Sequence, residues 1–430
     1  MREAPIASRI VSHLRVPLFR NAYALILSTG LTSGLGFVYW LVAARLYPPD
    51  VVGLNSAALS SMMFLAGLAQ FSLTNVLIRF IPRAKTAALT LTDRATLLTV
   101  VAALVASLVF IFFGVDQWAP SLRFLRSSPL LEAVFALSTV TWGVFVLQEG
   151  ILTGLRSATW VPVKNAAFSV GKLVLLVLFV ALLPAYGIFV SWVVPAVLAL
   201  VPMGLIVRRR LVSWGPAQAA SDAPGLVPIQ VFRYAVADYA GSLFWLAATM
   251  LVPVLVTEVA GATANAHFYL AWTIAYTLYL VAPSMGSSLI VESALDPAQL
   301  EAYSRRALLQ TARLVVPLAL ALAVAAPWVL GLLGGGYARE GTDLLRLLAL
   351  SAIPNVVNAL YTSIARAQRH LVAIVAILAA QCVAVLGLSY LLLQSIGITG
   401  VGYAWLGSQA AIAVVLLAAR DQIFRPAGAS

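Results

Sequence analysis

The chain has 430 residues, of which 62% are hydrophobic and only 10% charged, and its mean hydropathy is +0.98. Soluble globular proteins carry about 25% charged residues, so this composition excludes an ordinary soluble fold and indicates an integral membrane protein. The net charge of +12 would suggest nucleic-acid binding in a soluble protein. In a membrane protein the same excess is typical of basic cytoplasmic loops.

The sequence offers little for metal or redox chemistry. Cys382 is the single cysteine, which rules out a disulfide within the chain, and the three histidines lack a His-x-x-x-His spacing. There is no Gly-x-x-x-x-Gly-Lys-Ser/Thr phosphate loop and no hydrophilic stretch long enough for a nucleotide site. We therefore expect no cofactor, no metal and no catalytic residue, and no nucleotide hydrolysis within this chain.

The predicted elements begin with residues 1–20, where four arginines alternate with apolar residues as in a cytoplasmic amphipathic segment. Because a helix needs about 20 apolar residues to cross a bilayer, the remaining sequence predicts an all-α polytopic membrane protein of twelve transmembrane helices. The predicted spans lie near residues 21–44, 53–78, 95–115, 130–154, 165–184, 187–207, 234–257, 263–290, 307–333, 343–364, 371–394 and 398–419.

The distribution of basic residues predicts the orientation of these helices. With both termini in the cytoplasm, 20 of the 27 lysines and arginines lie at the inner side and five at the outer side, while Lys172 and Arg313 lie within spans. This asymmetry follows the positive-inside rule and supports a multi-pass membrane protein in this orientation. We expect it in the bacterial cytoplasmic (inner) membrane.

The chain is predicted to consist of two six-helix lobes. Residues 211–230 form a cytoplasmic linker rich in Pro, Gly, Ala and Ser, which separates an N-lobe at 21–210 from a C-lobe at 231–420, with a cytoplasmic tail at 421–430. Residues 19–22 (Phe-Arg-Asn-Ala) match residues 232–235 (Phe-Arg-Tyr-Ala), which suggests a parallel internal repeat. Parallel repeats are an architecture of transporters that work by alternating access.

Short motifs give this architecture a family resemblance. Residues 44–54 read Ala-Arg-Leu-Tyr-Pro-Pro-Asp-Val-Val-Gly-Leu, a tight outer hairpin in which Asp50 can cap the next helix. This string, the segment at 67–81 and the last hairpin at 397–406 resemble the polysaccharide flippases (O-antigen flippase-like) of the multidrug/oligosaccharidyl-lipid/polysaccharide exporter superfamily. Tyr47-Pro48 departs from that pattern, in which a glycine is common.

The resemblance implies a flippase or exporter that moves a polyprenyl-pyrophosphate-linked oligosaccharide across the inner membrane during surface polysaccharide biosynthesis. Its partners would be the lipid-linked substrate, membrane lipids and, beside it, a polysaccharide polymerase and glycosyltransferases, with no nucleic acid, and we expect a monomer. Two alternatives remain open. One is a cation-coupled multidrug exporter of the same fold, and the other is a membrane polysaccharide polymerase or ligase.

Four arginines are candidates for binding the pyrophosphate headgroup, because guanidinium binds phosphate oxygens bidentately. Arg20, Arg79 and Arg233 lie at the inner ends of spans one, two and seven, and Arg45 lies at the outer end of span one. Ordinary positive-inside anchoring would explain the first three equally well, and hairpin capping would explain Arg45.

Ionisable residues within spans are further candidates, because an unpaired charge in a bilayer is costly. Glu149 and Lys172 lie at matched depth in spans four and five, where they would pair as an internal salt bridge or line a cavity. Asp238 lies about one turn inside span seven and is a candidate for proton or sodium coupling or for pairing with a nearby arginine.

Span eight carries an aromatic stripe at helical spacing, formed by Tyr269, Trp272, Tyr276 and Tyr279. The first three are candidates for stacking on sugar rings, with their polar groups free for hydrogen bonds. The same stripe is also typical of helix packing or of an interfacial belt.

Overall fold

The structure is a computed structural model that describes residues 33–84, 87–219, 228–283, 285–286, 300–368 and 371–419. These ranges are helical and contain no strand, which confirms the predicted all-α fold. The amphipathic segment at 1–20 and the tail at 421–430 lie outside them. The helices are α1 (Ser33–Leu46), α2 (Pro49–Ala69), α3 (Leu73–Phe80), α4 (Ala88–Trp118), α5 (Pro129–Gly154), α6 (Trp160–Leu182), α7 (Gly187–Ala219), α8 (Pro228–Ala260), α9 (Ala262–Tyr279), α10 (Leu300–Leu333), α11 (Gly335–Ala367), α12 (Leu371–Ile396) and α13 (Ile398–Ala418).

Most of these helices are suited to a bilayer. In the part of the chain that the structure describes, ten helices are long and apolar enough to cross a membrane, which supports a multi-pass membrane protein. The two predicted spans outside that set correspond to α1, a shorter apolar helix, and to α9, which has 18 residues.

Helix α4 shows how the sequence separates a packed face from a lipid face. Small residues repeat every three or four positions on the buried face, which allows close packing between helices in a membrane. The buried residues are Ala88, Thr92, Ala95, Thr99, Ala103 and Ser107. Large apolar residues follow the same period on the exposed face, as expected for contact with lipid. The exposed residues include Leu97, Val101, Leu104, Val105 and Leu108.

The chain forms two compact units. The first unit contains the described residues up to Trp40 together with Met62–Trp118 and Arg123–Tyr239. The second unit contains Ala240–Ser430 together with Leu41–Ser61 and Ala119–Leu122. Two segments from the first half of the sequence are therefore built into the second unit. The lobe boundaries at 21–210 and 231–420 and the parallel repeat stay predictions.

The predicted second span differs most from the observed structure. The sequence predicts one helix near 53–78, but α2 ends at Ala69, and Phe71 and Ser72 both adopt positive φ angles before α3 begins. A side chain of the first unit provides a hydrogen bond to the backbone next to this break, since the Tyr239 hydroxyl donates to the Leu68 carbonyl at 2.8 Å. Such discontinuous helices occur where the backbone is buried in protein.

At the other end of α2, the helix begins at Pro49 and not near 53. Asp50 therefore lies inside the first turn of α2, where its negative charge interacts favourably with the positive N-terminal end of the helix dipole. Within the stretch predicted as a linker, 211–230, α7 extends to Ala219 and α8 begins at Pro228.

Within the second unit, α2 packs closely on the start of α9. A Cβ added to Gly53 would overlap the backbone of Ala262, so only glycine permits this approach. The Asn265 amide donates to the Gly53 carbonyl at 2.8 Å and to the Ser56 hydroxyl at 3.1 Å. These bonds fix the first turns of α2 in the second unit.

Candidate functional site

Lys172 is a buried cation in the first unit. It lies in the middle of α6, and only 2% of its surface is exposed. Its ammonium lies 3.7 Å from the ring centroid of Trp192, 4.8 Å from Tyr39 and 5.1 Å from Phe168. Such cation–π contacts stabilise a desolvated charge, and no carboxylate forms an ion pair with Lys172 among the described residues.

The rings around Lys172 are held by their own contacts. The Tyr39 hydroxyl donates to the Ile188 carbonyl at 3.0 Å and lies 2.9 Å from the Ser191 hydroxyl. The rings of Tyr39 and Trp192 meet edge to face at 5.4 Å. We call Lys172 with Tyr39, Phe168 and Trp192 the lysine cage.

Glu149 pairs with Lys164, which lies one residue before the predicted span at 165–184. Lys164, counted among the inner-side cations, is buried within α6, and its Nζ lies 3.0 Å from a Glu149 carboxylate oxygen. Lys164 also donates to the Phe145 carbonyl at 2.6 Å and lies over the Phe145 ring at 3.6 Å. The predicted Glu149–Lys172 salt bridge is therefore wrong, because Lys164 occupies the position beside the carboxylate.

The candidate headgroup arginines are placed as follows. The Arg45 guanidinium donates through Nε and Nη2 to the Leu332 carbonyl, at 2.9 and 2.7 Å, and so caps the end of α10 within the second unit. Arg79 is exposed near the end of α3, with its guanidinium 5.7 Å from the centroid of the neighbouring Phe80 ring. Arg20 lies outside the described residues.

Two further candidates are described only in part. Arg233 and Asp238 belong to the backbone of α8, and their side chains lie outside the described part of the structure. Their predicted roles in headgroup binding and in ion coupling stay predictions.

The aromatic stripe of α9 belongs to a cluster in the second unit. Trp272 is buried, and its ring centroid lies 4.7 Å from that of Trp405 on α13 and 5.9 Å from that of Tyr279. Tyr276 is half-buried and contacts both Trp272, at 5.3 Å, and Tyr279, at 6.3 Å. Tyr269, two turns before Tyr276, is also half-buried.

The cluster continues into buried polar groups that the sequence analysis missed. The Tyr279 hydroxyl lies 2.6 Å from the Ser351 hydroxyl on α11. Two turns further along α11, the Asn358 amide donates to the Gln409 side-chain oxygen at 2.5 Å and to its backbone carbonyl at 3.0 Å. We call Tyr279, Trp405, Asn358 and Gln409 the amide–aromatic cluster. An Asn and a Gln within predicted spans were the sequence signal that could have identified it.

The first unit thus buries the caged Lys172 besides the Glu149–Lys164 pair, and the second unit buries neutral amides beside aromatic rings. The model of a family described as "Polysaccharide biosynthesis protein" matches residues 18–302. The chain belongs to this family. The match includes Lys172, the hairpin after α1 and the segment at 67–81, and it confirms the predicted resemblance. The last hairpin lies beyond the matched residues.

Solved structures show that this member of the polysaccharide biosynthesis family has the fold of the MOP superfamily of transporters. The lipid II flippase MurJ, in an inward closed conformation, aligns with a TM-score of 0.66 at 10% identity, over 92% of this chain and 88% of MurJ. A MOP superfamily transporter from Pyrococcus furiosus, described with a binding pocket of reverse polarity, gives 0.62 at 14% identity, over 96% and 97%.

A multidrug resistance MATE family transporter of the MOP superfamily, in an outward-facing conformation, gives a TM-score of 0.61 at 14% identity, over 96% of this chain and 97% of that one. No curated protein sequence matches the chain. The similarity to solved structures establishes the fold, and the family match establishes the relation to polysaccharide biosynthesis.

Proposed function

We propose that this protein flips a polyprenyl-pyrophosphate-linked oligosaccharide from the inner to the outer leaflet of the bacterial inner membrane by alternating access. The family match supports a role in polysaccharide biosynthesis. The transporter fold supports movement of a substrate and not its chemical conversion, and MurJ, of the same fold, is described as a lipid II flippase. A surface polysaccharide precursor satisfies both observations.

The observation that carries the substrate class is the buried ammonium of Lys172. An ionisable side chain buried within a membrane span is costly and marks a functional position by default. It suits an anionic pyrophosphate and would repel the small cations that a cation-coupled multidrug exporter extrudes. The lysine cage holds this charge without a described carboxylate, so a substrate phosphate is the anion that we assign to it.

The candidate headgroup arginines extend this assignment to the membrane surfaces. Arg79, with Arg20 and Arg233, would attract the headgroup at the cytoplasmic side, where guanidinium groups bind phosphate oxygens. Arg45 would receive it at the outer side after releasing the Leu332 carbonyl. Glu149 is held by Lys164, which favours a structural role over ion coupling for this carboxylate. Asp238 is the remaining candidate for coupling.

The proposal includes the predicted placement of the chain in the membrane. Both termini lie in the cytoplasm, the lobes at 21–210 and 231–420 rock against each other, and a monomer is the working unit. The sugar passes through a polar path while the polyprenyl tail stays in the bilayer. Glycosyltransferases would supply the substrate and a polymerase would consume it.

The test is to delete the gene and measure surface polysaccharide together with the lipid-linked oligosaccharide on each leaflet. Complementation uses the wild type, Lys172→Met, Arg79→Ala and, as a matched control for an exposed inner-side cation, Arg94→Ala. We expect the precursor to accumulate on the cytoplasmic leaflet of the deletion strain. The wild type and Arg94→Ala should restore transfer, whereas Lys172→Met should not and Arg79→Ala should restore it only in part.

An unchanged leaflet distribution in the deletion strain, with other flippases also removed, would refute the proposed substrate. Extrusion of cationic dyes that depends on Asp238 would then favour the multidrug exporter. Restoration by Lys172→Met at normal protein levels would remove the caged lysine from the mechanism.

A further inference from the structure

The second unit buries polar side chains whose hydrogen-bonding capacity is not used within the described structure. The Asn358 Oδ1, the Ser408 Oγ and the Trp405 Nε1 have no hydrogen-bond partner, although each of these residues is at least nine-tenths buried. Buried polar groups in native proteins are nearly always paired, because leaving one unpaired costs its full desolvation penalty. The unpaired groups therefore include an acceptor, the Asn358 oxygen, and donors, the Trp405 N–H and the Ser408 hydroxyl.

These groups belong to one arrangement of helices. Trp405 and Gln409 lie one turn apart on α13, and Ser351 and Asn358 lie two turns apart on α11, so each pair shares a helix face. The Asn358–Gln409 bond and the Tyr279–Ser351 contact join α11 to α13 and to α9. Trp245 on α8 reaches the same rings, at 6.3 Å from Trp405.

One edge of this arrangement is more open than the rest. Trp245 and Tyr276 are partly exposed, whereas Tyr279 and Trp405 are almost fully buried. Indole and phenol rings at the open edge offer flat apolar faces, and the amides lie deeper. None of these residues carries a charge.

We infer that the amide–aromatic cluster, with Trp245 and Tyr276 at its edge, is a binding subsite for a neutral sugar of the transported oligosaccharide. This inference rests on the proposed function. Sugar hydroxyls both donate and accept hydrogen bonds, so a sugar matches an unpaired acceptor such as the Asn358 oxygen and an unpaired donor such as the Trp405 N–H. The C–H face of a pyranose ring packs on an aromatic face, which the edge residues provide.

Other parts of the substrate fit less well. A pyrophosphate needs cationic partners, and the cluster has none. A polyprenyl tail cannot form hydrogen bonds, so the unpaired polar groups of the cluster would stay unpaired beside it. The chemistry of the cluster therefore suits a neutral sugar and not the charged headgroup, for which we propose Lys172.

The test uses the purified full-length protein in lipid nanodiscs and two probes. One is polyprenyl pyrophosphate carrying the oligosaccharide repeat extracted from the expressing cells, and the other is sugar-free polyprenyl pyrophosphate. Binding is measured by isothermal titration calorimetry for the wild type, the double variant Asn358→Leu with Gln409→Met, and Trp405→Phe. Controls are Gln148→Met, a buried amide of the first unit, and Trp328→Phe, an exposed tryptophan.

We expect the double variant to weaken binding of the oligosaccharide probe about tenfold, the loss for about two hydrogen bonds. Binding of the sugar-free probe should change less than about twofold, since phosphate contacts are kept. Removing both partners of a buried hydrogen bond is nearly neutral for folding, so the unfolding temperature should be kept or raised. Trp405→Phe should show the same selectivity, and both controls should match the wild type.

Equal affinity of the double variant and the wild type for the oligosaccharide probe would overturn the sugar subsite and leave the proposed function intact. An equal loss for both probes would also overturn it, because the effect would then not concern the sugar. A wild-type protein that binds neither probe would overturn the proposed function and the subsite together.

Discussion

The ion pair between Glu149 and Lys164 predicts an asymmetric response to mutation. The Lys164 side chain is fully buried, whereas the Glu149 side chain is 32% exposed. Glu149→Gln leaves a buried ammonium without its counter-charge, and Lys164→Met leaves a carboxylate that water can reach. The first change should therefore destabilise the protein much more than the second.

The expected sizes follow from these contacts. Breaking a buried ion pair by removing one partner costs about 3–5 kcal/mol. We take about 3 kcal/mol for Glu149→Gln, because Lys164 keeps the Phe145 carbonyl and the cation–π contact with the Phe145 ring. Lys164→Met should cost about 1 kcal/mol, since the exposed carboxylate is solvated. At about 2–4 °C per kcal/mol, the melting temperatures should fall by about 6–12 °C and 2–4 °C.

The assay is thermal unfolding of the detergent-purified variants, followed by size-exclusion chromatography after heating. The double variant Glu149→Gln with Lys164→Met should melt close to Lys164→Met alone, because it contains no stranded ammonium. If Glu149→Gln melts at or above the temperature of Lys164→Met, the argument from burial is refuted. Transport by the double variant would confirm the structural role of Glu149, and its loss would favour coupling.

Three further predictions use the same melting assay. Lys172→Met should melt no lower than the wild type, because it removes a buried ionisable group without a described ion-pair partner. The same variant should lose leaflet transfer. A lower melting temperature would show that the cage stabilises the fold. Gly53→Ala should cost about 2 kcal/mol or more through overlap with the Ala262 backbone, whereas Gly407→Ala, which meets no atom within 4 Å, should not destabilise. Arg45→Ala should cost less than about 1 kcal/mol because its bonds are exposed, and a larger loss would contradict that reasoning.

Hydropathy located the helices well because the bilayer imposes one length on every span. Predicted and observed positions agree for α5, α12 and α13 within a few residues. The break at Phe71 and Ser72 was not predictable, because neither residue favours a positive φ angle in isolation. Tertiary hydrogen bonds to Leu68 and Gly143 stabilise it, and local sequence does not reveal them.

The candidate residues show a similar division. The cost of charge in a membrane correctly singled out Glu149 and Lys172 as buried or pairing residues. Their partners were missed because they depend on helix boundaries and on contacts distant in sequence. Lys164 was counted outside the span since the predicted span began at 165, whereas α6 begins at Trp160. The contact of Trp272 with Trp405 joins positions that no local pattern relates.

The contribution of Leu41–Ser61 to the second unit has a consequence for how the protein is made. Gly53 is synthesised 212 residues before Asn265, the side chain that bonds to its carbonyl. The start of α2 therefore enters the bilayer long before α9 exists to receive it. A nascent chain that ends before Ala262 completes only the first unit, and a gene divided within codons 220–227 would not yield two self-sufficient products. Assembly of the second unit has to wait for the ribosome to reach the far half of the message.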